Sequence, residues 1–583
     1  MRKLLIYLKD YKKETILAPL FKLLEAVFEL LVPLVMAGII DRGISQSDRI
    51  YIWQMGTCLL LLGAVGLVCS VTAQFYAAKA AVGFSTKLRQ ALFDHLQALD
   101  FTGLDKVGTA TMITRMTSDI NQVQSGVNMV LRLFLRSPII VFGAMIMAFT
   151  IDLKSALIFA AAIPLLAVVV FGIMLFTIPM YRKVQNTLDK VLGITRENLT
   201  GVRVIRAFHQ EDREEERFRE NNRNLSYMQL FVGRISACMN PVTYVIVNGA
   251  IIALIYTGAI QVNVGNLTQG EVIAILNYMS QVLVELVKLA NLIITVTKAF
   301  ACADRVAAVF EAENADRPAE VSGEREDAEK IPFLSFEKVS LTYQGGGAPA
   351  LHNIDFVAER GETIGVIGGT GCGKTSLVNL IPGFYPATEG CIRLEGRDIS
   401  VMPEEELRRR IGVVPQKAVL FKGTIRSNLL WGKPDAREEE LWEALETAQA
   451  KEIVEDKEGE LDADVTQNGR NFSGGQKQRL TIARALVRKP RILILDDSAS
   501  ALDYATDARL RAALKKMDPD TTVFIVSQRA SSILHADKII VLEDGEVAGI
   551  GSHEELLNDC NVYQEIYYSQ YPDKKPGRGG APA

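Results

Sequence analysis

The chain has 583 residues, too many for one hydrophobic core, and its apolar residues crowd ahead of about residue 305 although the overall composition, 49% hydrophobic and 23% charged, is that of a soluble protein. A formal net charge of −4 argues against a strongly basic nucleic-acid binder, and no nucleic-acid partner is expected. The seven cysteines (Cys58, Cys69, Cys238, Cys302, Cys372, Cys391 and Cys560) form no CxxC pair or metal-ligand cluster and read as reduced thiols. The opening MRKLLIYLKDYKKE has no small-residue cleavage site, so no cleaved signal peptide is expected.

Charge-free runs mark membrane spans. Ile50–Ala78 and Ser155–Tyr181 each exceed the ~20 residues a helix needs to cross the hydrocarbon. Ile235–Gly270 divides into a helix to about Ile260 and an outer loop, QVNVGNLTQG. Ser137–Ile151 is shorter; Leu131–Leu135 extends it, with Arg132 and Arg136 placed to snorkel near one end. Ile16–Ile40, holding Lys22, Glu25 and Glu29, and Val272–Thr297, holding Glu285 and Lys288, are apolar but interrupted by charge. Together these segments predict six helices.

Basic residues set the orientation. Arg2, Lys3, Lys9, Lys12 and Lys13 precede the first span; Arg182, Lys183, Lys190, Arg196, Arg203 and Arg206 fill the connection between the fourth and fifth. The outer loops are short and nearly balanced, as at Asp41/Arg42 and Asp152/Lys154. The positive-inside rule places both termini in the cytoplasm. Two long inner connections, 82–130 and 182–233, keep helix-period apolar positions, so the membrane helices are expected to continue into the cytosol and turn there. Short polar elements are expected at the turns, 108–123 and 197–211, where a membrane domain could touch a soluble motor.

Charges inside spans need a reason, since leaving one in lipid costs about 3 kcal/mol or more. Glu25 and Glu29 share a helix face, and Glu285 and Lys288 are spaced to pair. Interhelical pairing or a wet vestibule is the favoured reading; a polar cavity for substrate is the other. Asn248 and Asn277 read as interhelical hydrogen-bonders before ligands.

Residues 311–331, EAENADRPAEVSGEREDAEKI, are acidic and aperiodic, which predicts a solvated linker between a membrane domain at 1–310 and a second domain at 332–570; 571–583 reads as a flexible tail. The strand-like IPFLSFEKVSLTY opens the second domain.

GGTGCGKT, Gly368–Thr375, matches GxxxxGK[ST] between an apolar strand, ETIGVIG, and a helix, SLVNLI. Such a loop (Gly368, Gly369, Thr370, Gly371, Cys372, Gly373) turns successive backbone N–H groups toward phosphate oxygens. Lys374 adds a point charge for the outer phosphates, and Thr375 or Ser376 a hydroxyl for Mg²⁺. Cys372 lies inside the loop, so its alkylation is expected to block nucleotide. RILILDD, 491–497, is a buried strand ending in Asp496, on the Mg²⁺ side, and Asp497, placed to polarise attacking water. Between the two lies NFSGGQKQRLTIARAL, 471–486, where Ser-Gly-Gly opens a helix whose N-terminus and bare amides make an anion site.

The order phosphate loop, SGGQ, double-carboxylate strand resembles the nucleotide-binding domain of ATP-binding-cassette (ABC) transporters. Nearly the whole chain is similar to exporters of that family in which six helices precede one such domain. The resemblance implies an α-helical six-span transmembrane domain of the type I (type IV) exporter class fused to an α/β phosphate-loop ABC nucleotide-binding domain, with ATP and Mg²⁺ as cofactors. It implies that Tyr343 stacks on adenine and that Gln416 in GVVPQKAVLF is the Q-loop residue, near Mg²⁺ with Thr375 and Asp496. It makes Phe472, Ser473, Gly474, Gly475 and Gln476 the signature, and Ser500, Ala501, Leu502 and Asp503 the D-loop. Two such domains would meet head to tail, each ATP lying between one phosphate loop and the other chain's signature. The turns near 108–123 and 197–211 resemble coupling helices.

The chain departs from the family pattern twice. The usual catalytic Glu after the Mg²⁺-side Asp is Asp497 here, one methylene shorter, and a misplacement of roughly 1 Å can lower a rate about 10²-fold. The usual switch His at the end of the next strand is Gln528, which hydrogen-bonds but neither takes a proton nor carries charge. None of the five histidines (His95, His209, His352, His535 and His553) fills that slot. Both losses fall on one ATP site, while FSGGQ, which serves the other, is intact. This asymmetry resembles the degenerate-site subunit of bacterial heterodimeric, multidrug-type exporters. It implies an unlike partner half-transporter with intact Glu and His.

The expectation is therefore a plasma-membrane efflux subunit that meets membrane lipids and moves a small hydrophobic or amphipathic substrate: a drug-like compound, lipid or peptide. A slow homodimeric exporter and an ATP-gated, non-transporting regulator are the alternatives. Fusion of the domains in this order resembles exporters rather than importers, and no peptidase-like N-terminal domain stands ahead of the spans. Phe28, Tyr244 and Tyr278 suit hydrophobic compounds and helix packing equally.

Overall fold

The computed structural model describes residues 2–312, 331–343 and 345–574. Most of the expected linker and tail lies outside them. The described residues form two compact units, 2–98 with 107–312 and 99–106 with 331–574.

Among the described residues of the first unit, six helices are long and apolar enough to cross a membrane: Leu4–Ile44, Arg49–Ala98, Thr109–Ile151, Leu153–Thr200, Glu211–Val264 and Gln269–Phe310. At 41 to 54 residues they run about 60–80 Å, twice the hydrocarbon thickness. The excess length agrees with helices that continue past the bilayer. The fifth runs beyond Ile260, so the connection there, expected as an outer loop from about residue 261, shrinks to 265–268. Gly265 turns it at φ 83°, and Thr268 with Glu271 caps the sixth helix.

The first inner turn lies earlier than 108–123. A short helix, Phe101–Val107, precedes Gly108 at φ 76°, and the third long helix is already under way at Thr109. The polar stretch after it is helical all the same, with its hydroxyls bonded back to their own helix: Thr114 donates to the Ala110 carbonyl at 3.0 Å and Thr117 to Ile113 at 2.7 Å. The second turn, Val202–Ala207, falls inside the expected 197–211.

Arg136 does not snorkel. It is buried (8% exposed) and donates to Glu285 and Glu29, each at 2.7 Å, with Nε 3.9 Å from Glu25. Ser137 (2.8 Å) and Lys288 (2.8 Å) also donate to Glu285. Lys22 donates to Glu25 at 2.6 Å and to Ser70 at 3.1 Å. Three acids and three bases thus bind the first, third and sixth long helices, as the pairing reading expected. Tyr278 is fully buried, its hydroxyl donating to the Leu30 carbonyl at 2.6 Å. Among the described residues Asn248 makes no interhelical bond; its amide donates to the Tyr244 carbonyl on its own helix, and Asn277 is exposed.

The second unit holds a six-stranded sheet in the order Glu546–Gly551, Lys538–Glu543, Thr363–Gly368, Thr522–Val526, Ile492–Asp496, Ile411–Val414. All but the first strand run parallel. Ile492–Asp496 and Thr522–Val526 are buried at every position, which is why they read as unbroken apolar runs. A four-stranded antiparallel sheet, Leu351–Ala358, Leu334–Leu341, Glu389–Leu394 and Arg397–Asp398, lies beside it in sequence. Three parallel strands end at Gly368, Asp496 and Val526, so the chemistry-bearing loops share the carboxyl edge of one sheet.

Candidate functional site

The loop after Gly368 is shaped by glycines. Gly371 and Gly373 have φ of 85° and 96°. A Cβ on Gly368 would meet the Leu542 carbonyl at 2.2 Å, and one on Gly373 would meet Leu351 at 2.7 Å. A Cβ on Gly371 would meet nothing within 4 Å. Gly369, Thr370 and Gly371 are exposed, whereas Cys372 is 5% exposed. Lys374 is buried, its ammonium donating to the carbonyls of Gly368 (2.9 Å) and Gly369 (2.5 Å), with Cys372 Sγ at 3.6 Å. This burial of Cys372 tempers its expected alkylation: a reagent must enter under the loop.

Thr375 Oγ1 donates to Asp496 Oδ1 at 3.1 Å. The other candidate hydroxyl, Ser376, instead accepts from Tyr343 OH at 2.9 Å, and the Tyr343 ring meets Tyr385 edge-on at 5.0 Å. Burial pushes the Asp496 carboxyl above its ordinary range; the Thr375 hydroxyl pulls back and the Asp497 charge adds to the rise. A loop of open amides, a lysine and a hydroxyl–carboxylate pair form a donor set that fits Mg²⁺-nucleotide.

Asp497 follows with φ 43°, a left-handed backbone that Asp tolerates better than most residues. Its amide donates to the Val526 carbonyl at 3.0 Å, and its carbonyl accepts from Ser500 N–H (3.2 Å) and Oγ (2.8 Å). Gln416 Nε2 lies 3.3 Å from Asp497 Oδ2. Gln528 is exposed one residue past Ser527, whose amide donates to Val366 at 3.1 Å across the sheet edge. The structure therefore gathers Lys374, Thr375, Gln416, Asp496 and Asp497 at one edge, with Gln528 on the adjoining loop.

Ser473 caps the 13-residue helix Gly474–Leu486. Its Oγ accepts from Gln476 N–H at 3.3 Å, and Gln476 Oε1 accepts from Ser473 N–H at 2.9 Å. Phe472 is buried beneath, with Lys457 Nζ 5.3 Å from its ring centroid. Ser473 and Gly474 stay exposed at the helix N-terminus, which favours an anion. Next to it, Ser500 and Ala501 are exposed, Leu502 is buried, and Asp503 caps Tyr504–Leu514 by accepting from Thr506 N–H.

Two family models match the chain: "ABC transporter transmembrane region" over residues 15–286 and "ABC transporter" over 351–500. The Bacillus subtilis (strain 168) "Uncharacterized ABC transporter ATP-binding protein YfiB" is 35% identical over 98% of this chain and 99% of its own length. The chain belongs to the ABC transporter family. An "ATP-dependent lipid A-core flippase" of Chromobacterium violaceum is 29% identical over 98% of this chain and 97% of its own. In fold the chain matches the solved "Structure of a bacterial Atm1-family ABC exporter with ATP bound", with a TM-score of 0.77 at 22% identity, covering 96% of this chain and 98% of that one.

Membership makes this a multi-pass membrane protein that couples ATP to transport. Sequence reasoning missed part of how this ABC transporter is built. Leu99–Lys106, inside the range expected for the membrane domain, packs with the nucleotide-binding unit. Phe101 packs on Phe384 at 4.6 Å between ring centroids, and Tyr385 OH donates to Asp105 at 2.7 Å. Burial, and then that carboxylate, push the Tyr385 phenol upward. The FTGLD segment carried a signal, an exposed aromatic at an inner turn, that went unread.

Proposed function

We propose that this chain is one half of an ATP-driven exporter that binds ATP at a degenerate site of its own and lends its signature to the hydrolysing site of an unlike partner. The observation that carries the reading is the asymmetry between the two halves of the machinery. Asp497 and Gln528 replace the expected Glu and His at one edge of the sheet, while Ser473–Gln476 forms a complete capping box.

Loop amides and Lys374 hold the phosphates, drawing the ammonium from the Gly368 and Gly369 carbonyls. Thr375 and Asp496 would hold Mg²⁺, with Gln416 nearby, and the ion would supply charge neutralisation at the phosphates. Tyr343 packs on the base. Asp497 stops short of the position from which a Glu would orient water, and Gln528 hydrogen-bonds the terminal phosphate without a charge to follow transition-state development. Hydrolysis at this site is slow, and nucleotide stays.

Both termini lie in the cytoplasm, on the basic-loop asymmetry. The exposed helix Val202–Ala207 and Phe208 (72% exposed) suit docking on the partner's ATP domain, and Phe101–Val107 couples to the chain's own. The substrate class is hydrophobic or amphipathic, a drug-like compound, lipid or peptide, in keeping with the flippase activity named for one relative. The membrane is the plasma membrane of a bacterium.

Co-purification from the native host, followed by ATPase assay of the lone chain and of the pair, tests this. The expected result is an unlike companion chain, little turnover by the lone chain and robust turnover by the pair. Full turnover by a homogeneous homodimer would overturn the heterodimer. ATP-dependent uptake of a tracer into inverted vesicles separates transport from gating.

A further inference from the structure

The loop that follows Thr522–Val526 and carries Gln528 is gripped from several sides. Ser527 Oγ accepts from Arg529 N–H at 2.9 Å, and Arg511 donates to the Ser531 carbonyl at 2.7 Å. The remaining grip comes from the end of the helix Asn561–Gln570. Gln570 Nε2 donates to the Gln528 carbonyl at 2.8 Å, and Gln570 Oε1 accepts from Ala530 N–H at 2.8 Å. One carboxamide thus brackets Arg529 from residues 42 and 40 positions away.

The helix behind this clamp is firmly seated. Tyr563 (0% exposed) and Tyr567 (3%) anchor it in the core, and Tyr563 OH lies 2.7 Å from His553 Nδ1. A carboxamide suits the task because its nitrogen donates and its oxygen accepts, and Gln570 uses the two atoms in that way. Gln570 itself is exposed, so removing its amide leaves the packing intact. Its two bonds fall on the backbone of the switch position itself, at the Gln528 carbonyl, and on the Ala530 amide two residues on.

We infer that Gln570 is a positioning residue for nucleotide at this chain's site: it fixes the backbone at 528 and 530 so that the Gln528 side chain is presented to the terminal phosphate, and so governs how long ATP is retained. This rests on the reading of Gln528 as the switch residue.

The test uses the full-length complex as it purifies, loaded with radiolabelled Mg²⁺-ATP and chased with unlabelled ATP. Gln570→Met keeps the length of the side chain and loses both bonds. It is expected to speed release from this site by about three- to tenfold, the equivalent of one lost hydrogen bond. The double variant Gln528→Ala/Gln570→Met is expected to release no faster than Gln528→Ala alone, because the clamp acts through that side chain. Parent-like release from Gln570→Met beside accelerated release from Gln528→Ala overturns the inference and leaves the switch reading standing. Effects that add overturn it as well, since Gln570 then acts elsewhere. Parent-like release from Gln528→Ala overturns the switch reading and the inference with it.

Discussion

The Gln416 amide nitrogen stands 3.3 Å from the Asp497 carboxylate, so the two side chains face each other at the sheet edge where water would be aligned. Asp497 is aimed by a left-handed backbone and by the bonds its own carbonyl accepts from Ser500. Its reach is therefore set by side-chain length, not by slack in the loop.

Restoring that length should restore chemistry. Asp497→Glu combined with Gln528→His is expected to raise hydrolysis at this site by about 10²-fold, with either change alone giving less. The assay needs a pair whose other site is silenced by changing the partner's catalytic Glu to Gln. No gain in the doubly restored pair would contradict the degenerate-site reading.

Asp496 gives a pH dependence. Burial raises this carboxyl above the ordinary ~3.9, so the folded, metal-free chain holds the proton more tightly than the unfolded chain. Its contribution to stability is present at low pH and is lost as pH rises through the raised pKa. Mg²⁺ requires the carboxylate and works in the opposite sense. Mg²⁺-dependent nucleotide retention is expected to weaken, as pH is lowered toward the ordinary aspartate range, earlier than an ordinary aspartate would allow. A fluorescent ATP analogue titrated with Mg²⁺ at several pH values reads this. An Mg²⁺ requirement flat across those values would count against Asp496 as a ligand.

Gly475 separates the chain's two roles. A Cβ there would stand 3.0 Å from the Ala501 carbonyl, so a larger side chain must push the signature helix and the D-loop apart. Gly475→Val is expected to lower ATPase of the pair about 10²-fold while photolabelling of this chain by an azido-ATP is retained. Loss of labelling together with turnover would mean that the signature is not serving the opposite site.

What was legible in the sequence was local. Lys374, Thr375 and Asp496 stand in short motifs whose flanking strands and helix are contiguous with them, and the structure brings Thr375 and Asp496 to 3.1 Å. The first inner turn was misplaced because Thr114 and Thr117 look like turn residues but bond their own helix, leaving Gly108 as the break. Gln570 was invisible because its partners are 40 and 42 residues back on an irregular loop. Arg136 was misjudged for a similar reason: its carboxylates come from 107 and 149 residues away, so a basic residue near a span's apparent end looked free to reach water.

That arginine carries the strongest expectation for the membrane half. Arg136 and Glu285 are each buried, and Arg136 holds Glu29 and Glu285 on different helices through two 2.7 Å bonds. Counted along their helices, Glu29, Arg136 and Glu285 all lie about 22–25 Å from the ends at Ile44, Ile151 and Gln269. Removing Arg136 leaves Glu285 to Lys288 and Ser137 and takes from Glu29 its 2.7 Å partner, so Arg136→Leu is expected to destabilise the folded membrane domain by up to about 3 kcal/mol. Arg136→Lys keeps the charge but cannot fork to both acids, and an intermediate loss is expected. Adding Glu29→Gln to Arg136→Leu neutralises the carboxylate that has lost its 2.7 Å partner and should recover part of the loss, while Lys288 continues to hold Glu285. Thermal unfolding of the purified complex in detergent measures all three. Equal melting temperatures for the parent and Arg136→Leu would mean that water reaches this cluster and that the substrate-cavity reading of these charges is the better one.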